Sequence, residues 1–80
     1  MKIIVYGPGD CSNCSRLKEK AQNVVEENGF DADVEKEGDT AKLAEKGIMS
    51  TPGFEIDGEM VFTGSNPPED QLQELIEERL

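Results

Sequence analysis

Residues 2–6 (KIIVY) form a short, nearly continuous apolar run rich in β-branched side chains. Such a run suits a central strand covered on both faces. Gly7-Pro8-Gly9 ends it, because proline lacks an N–H and glycine favours turns. The period then changes. Leu17, Ala21, Val24 and Val25 share one helical face, and Cys14 lies three residues before Leu17 on that face. This predicts a helix over 12–28, closed by Asn28-Gly29.

Phe30, Ala32 and Val34 next alternate with Asp31, Asp33 and Glu35. Period two with charge on one face predicts a half-exposed strand at or near a sheet edge. Gly38-Asp39 reads as a turn that caps a short second helix, with Ala41, Leu43, Ala44 and Ile48 as its apolar positions and Gly47 at its C-terminal end. Residues 54–57 and 59–63 run up to and away from Asp57-Gly58, a hairpin signal. With those two residues as the loop, Ile56 pairs with Glu59 and Phe54 with Val61. Met60 and Phe62 then point to the opposite face, so both faces carry apolar groups.

The last helix is expected to start with Asn66 as N-cap, Pro67 in the first turn and the acid Glu69 at the third position. Leu72, Leu75, Ile76 and Leu80 make its buried stripe. The order is β-α-β-α-β-β-α. A crossover through a helix requires parallel pairing of the first two strands, and the hairpin makes the last two antiparallel. The expected fold is α/β: a four-stranded mixed sheet with helices on both faces, forming one domain over residues 1–80.

Composition narrows the function. Lys and Arg number 8 and Asp and Glu 18, giving a formal charge of −10. A surface this acidic repels phosphate backbones and anionic lipid, so neither nucleic acid nor membrane is an expected partner. The apolar stretch Ile3–Tyr6 is too short for a signal peptide, and no run approaches the ~18 residues of a membrane span. A cytoplasmic monomer is expected. There is no His, which removes the usual general base and the commonest metal ligand. The two cysteines are the remaining candidates for chemistry.

Cys11-Ser12-Asn13-Cys14 follows the first strand and opens the first helix. At a helix N-terminus the unpaired N–H groups and the positive end of the helix dipole stabilise a thiolate. Cys11 is therefore the expected exposed nucleophile and Cys14 the deeper, resolving thiol. Ser12 and Asn13 add polar groups to this loop. Asp10 adjoins Cys11 and acts the other way, since nearby negative charge raises a thiol pKa. The acidification is thus expected to fall short of the extremes, which favours a reducing role. A merely structural disulfide is the weaker reading, because a bridge closing so short a loop removes little chain entropy. Handling of a metal or metalloid through the same pair is a further alternative: two thiolates suit a soft Cu(I) ion, whereas Zn²⁺ or Fe–S sites usually want four ligands. Small copper chaperones carry Met where this chain has Gly9, and they end in a strand.

With these residues in view, the chain resembles the small thioredoxin-like "redox-active disulfide" proteins, a compact thioredoxin/glutaredoxin-type family. The similarity runs through KIIVYGPGDCSNC, GIMSTPGFEIDGEMVFTG and the final PPEDQLQEL. It implies a thioredoxin-like fold with Pro52 in cis beside the cysteines and the backbone of Thr51 exposed as an edge for an extended substrate. It also implies thiol–disulfide oxidoreductase activity on protein disulfides, with electrons from a thioredoxin-reductase-type donor. No cofactor beyond a redox-active Cys11–Cys14 disulfide and no metal is expected. The chain departs from thioredoxins in carrying Asp10 for Trp and Ser12-Asn13 for Gly-Pro. No counterpart of their buried acid is assignable. A redox-silent interaction module on the same fold remains the third alternative.

Three further features read as structural. Asp31 and Asp33 form a solvated face rather than a Ca²⁺ site. Ser65 and Asn66 read as a plain strand-to-helix connection, with Gly64 open to a second reading as support for the active-site rim. Tyr6 is expected to put its ring in the core and its hydroxyl in solvent.

Overall fold

The computed structural model describes every residue except Asp10. Among the described residues the chain forms β1 (Lys2–Tyr6), α1 (Ser12–Asn28), β2 (Asp33–Glu37), α2 (Thr40–Glu45), β3 (Gly53–Ile56), β4 (Glu59–Thr63) and α3 (Glu69–Glu77). The sheet order is β2-β1-β3-β4. β1 runs parallel to β2 and antiparallel to β3, and β3 runs antiparallel to β4. The mixed sheet and the element order are those expected, and β2 lies at an edge.

Strand alternation divides the side chains between two faces. Ile3 and Val5 of β1 join Phe54 and Ile56 of β3 in a core with Cys14, Leu17, Ala21, Val24 and Val25 of α1 and Leu72 and Ile76 of α3. The opposite face carries Ile4, Tyr6 and Glu55, and α2 lies over it. There Lys46, which caps the C-terminal end of α2, reaches Glu55.

Several local expectations are corrected. In α2 Leu43 is buried, but Ala41 and Ala44 are exposed and Ile48 lies beyond the helix. β2 begins at Asp33, three residues later than the alternation suggested. Gly29 adopts φ 64° and its N–H bonds to Glu26, while the Phe30 N–H bonds to the Val25 carbonyl at 3.0 Å. Phe30 is thus held in the helix-terminating turn, as a left-handed cap requires.

The hairpin turn is as expected, with Asp57 and Gly58 both at positive φ and Ile56 opposite Glu59. Phe54, however, pairs with Phe62, because the register shifts by one residue between Phe54 and Glu55. The bulge returns Phe62 to the core face, where its ring stacks on Phe54 with centroids 5.0 Å apart.

α3 starts at Glu69, with Pro68 as the capping residue and no side-chain cap. Asn66 and Pro67 each precede a proline, which disfavours helical backbone at both. The Asn66 side chain instead accepts a hydrogen bond from Lys20 Nζ of α1 at 3.0 Å. Leu80 lies beyond the last turn and is 67 % exposed, so the buried stripe of α3 ends at Ile76.

Candidate active site

β1 delivers the chain to Gly7, whose N–H bonds to the Glu37 carbonyl of β2 at 2.9 Å. A Cβ on Gly7 would stand 2.6 Å from Cys14 Cβ and overlap its sulfur. Only a hydrogen at this position lets the end of the strand pass so close to the cysteines.

Cys11 caps α1 in extended conformation. Its sulfur accepts the Cys14 N–H at 3.2 Å, and its carbonyl accepts the Ser15 N–H at 3.3 Å. The sulfur therefore occupies the place of an ordinary capping oxygen, against the unpaired amides of the first turn. Among the described residues no acidic side chain lies in that turn. Cys11 and Cys14 are joined as a disulfide with Cα atoms 5.3 Å apart. Cys11 is half-buried, whereas Cys14 has no exposure and packs with Leu17 and Val5 in the core. Ser12 and Asn13 are exposed on the helix tip. Asp10 lies outside the described residues.

A cation also reaches this loop. Lys36 Nζ of β2 bonds to the Pro8 carbonyl at 3.5 Å, and the Cys11 N–H bonds to the same oxygen at 3.1 Å. Lys36 was not singled out from the sequence, where it is one charge in an alternating strand.

Thr51-Pro52 joins the site through the sheet. Tyr6 pairs with Gly53, so Pro52 emerges beside Gly7 at the end of the sheet that bears the disulfide. The Thr51–Pro52 bond is cis. Pro52 is buried and its carbonyl accepts the Gly64 N–H at 2.8 Å, while Thr51 is exposed. Among the described residues, no backbone partner meets Thr51.

Tyr6 corrects an expectation. It is 4 % exposed, and its hydroxyl donates to Glu55 Oε2 rather than to solvent. Burial, the bond to Glu55 and the negative charges of Glu55 and Glu37 push its pKa up to about 12. Glu55, likewise 4 % exposed, is a buried acid that the sequence reading did not assign. A lone acid between Phe54 and Ile56 in an otherwise buried strand was the available signal. It lies on the sheet face opposite Cys14.

Comparison with known proteins places these features. A family model described as a thioredoxin domain matches residues 1–77. A thioredoxin of Methanothermobacter thermautotrophicus is 34 % identical over 76 residues, covering 95 % of this chain and 97 % of the relative. A thioredoxin of Methanocaldococcus jannaschii is 33 % identical over 78 residues, covering 98 % and 88 %. With its mixed sheet, its Cys11–Cys14 disulfide at a helix tip and these relatives, the chain belongs to the thioredoxin domain family of thiol–disulfide oxidoreductases.

Proposed function

We propose that the protein reduces disulfides of other proteins, with Cys11 as nucleophile and Cys14 as resolving thiol. The observation that carries this reading is the asymmetry of the pair. Cys11 is reachable and faces the helix amides, while Cys14 is sealed in the core. The Cys11 thiolate attacks one sulfur of the substrate; that S–S bond breaks and the other substrate sulfur leaves as a thiolate. Cys14 then loses its proton and attacks Cys11, releasing the second substrate thiolate. Two electrons pass to the substrate, two protons complete its thiols, and Cys11–Cys14 closes as the disulfide. A donor dithiol, such as that of a thioredoxin-reductase-type enzyme, reopens it by the reverse exchange.

Thr51, exposed and without a backbone partner among the described residues, next to buried Pro52, supports a role in aligning an extended substrate strand beside Cys11. Ser12 and Asn13, exposed at the helix tip, complete the loop that the substrate meets. No cofactor beyond the cysteine pair is needed. Among the described residues no helix is long and apolar enough to cross a membrane. The formal charge of −10 disfavours self-association, and a reducing role fits a monomer in a reducing compartment such as the cytoplasm.

The test is trapping. Cys14→Ser should hold substrate as a mixed disulfide on Cys11, and Cys11→Ser should hold none. Insulin reduction by the wild type should be lost in both. Equal trapping by the two variants would overturn the assignment of roles.

A further inference from the structure

α2 is weakly anchored by apolar contact. Leu43 is its buried residue, and a cleft of ≈480 Å³ opens between Lys42 and Lys46 on its side and Ile4 and Tyr6 on the sheet. Yet its C-terminal end leads into residues 47–52, the segment that ends in the cis Thr51–Pro52 bond. The far end of that segment is fixed where Gly64 bonds to the Pro52 carbonyl.

The near end is fixed by a polar network. Lys46 Nζ stands 3.4 Å from Glu55 Oε1, and the other carboxylate oxygen accepts the Tyr6 hydroxyl. Glu55 lies three residues beyond Pro52 on β3. Tyr6 is the last residue of β1, immediately before the loop that carries Cys11. Three side chains thus tie together the three segments that converge on the site.

We infer that Tyr6, Glu55 and Lys46 are positioning residues for substrate docking, holding residues 47–52 in place against the Cys11 loop. The inference rests on the proposed reading of Thr51 and Pro52 as the substrate edge. A buried carboxylate needs its partners, since an unpaired charge away from water is costly. Removing the Lys46 ammonium therefore favours movement of the α2 end that lets water reach Glu55. Residues 47–52 move with it, and a substrate must then reorder them on binding. Tyr6 remains a donor throughout the physiological range, because its proton is held to about pH 12. The network lies on the face opposite Cys14, so it acts on docking and not on the thiol.

Lys46→Met, Lys46→Arg and Glu55→Gln are compared with the wild type in insulin reduction driven by dithiothreitol, alongside iodoacetamide alkylation of Cys11 against pH. KM should rise roughly five- to tenfold in Lys46→Met, and in the same direction in Glu55→Gln, with kcat within about twofold, as loss of uniform binding requires. Lys46→Arg, which keeps the charge, should hold KM near the wild type. The alkylation profile should stay put in all three.

An unchanged KM in Lys46→Met, equal impairment by Arg and Met, or a shifted alkylation profile would each overturn this inference alone. A wild type that reduces no protein disulfide would overturn the proposed function and this inference with it. Lys46 is half-exposed at its side chain, so its variants are expected to fold.

Discussion

At the scale of single residues the site depends on what is small and what is charged. Gly7 leaves room for Cys14, and Gly7→Ala would drive a methyl into the Cys14 sulfur. Overpacking at so tight a point should cost about 1–3 kcal/mol, read as a lower urea midpoint of the oxidised protein; an unchanged midpoint would mean that the strand end yields freely. Lys36 brings its cation to the carbonyl that also holds the Cys11 amide. Opposite charge nearby favours a thiolate. Lys36→Met should therefore slow iodoacetamide alkylation of reduced Cys11 at neutral pH by roughly two- to threefold, a factor set by one partly screened charge. An unaltered rate would show that the ammonium does not reach the sulfur. The cysteine motif was legible in the chain because its spacing and its place after an apolar run are local facts. Lys36 was not, because its relation to Cys11 exists only once β1 and β2 pair.

At the scale of elements, local signals located each helix and strand but misplaced several boundaries. Asn66 has the chemistry of a cap, yet two successive prolines hold its neighbourhood extended and Lys20 claims its side chain. The β4 register escaped simple alternation for a tertiary reason: the bulge lets Phe62 stack on Phe54 over the core. The turn itself was readable, since Asp57-Gly58 suits two positive φ angles. It also docks on β1, with the Asp57 N–H bonded to the Lys2 carbonyl and the Lys2 N–H to Asp57 Oδ1, each at 2.8 Å. Gly58 has φ 86°, so Gly58→Ala should destabilise by about 1 kcal/mol through backbone strain. Chemical denaturation would show this, and a neutral result would mean that the turn relaxes to another type.

At the scale of the whole molecule, stability at high pH follows from the buried tyrosine. Its pKa is raised from 10.0 in the unfolded chain to about 12 in the fold, first by burial and then by Glu55. The folded state thus holds a proton that the unfolded state has released. The contribution of Tyr6 is fully present below about pH 10 and is lost as pH rises towards 12. Urea midpoints should fall more steeply over that window in the wild type than in Tyr6→Phe, and parallel slopes would contradict the linkage. The chain by itself determined the order of elements, the cysteine pair at a helix tip and the turn at Asp57-Gly58. Those features depend on periodicity, on helix-end chemistry and on backbone angles that neighbouring residues set. Only the tertiary structure decided that Tyr6, Glu55 and Lys46 meet, that Lys36 reaches the Pro8 carbonyl and that Phe62 turns inward. Each of those contacts joins segments distant along the chain, and burial makes it matter energetically only after the sheet has assembled.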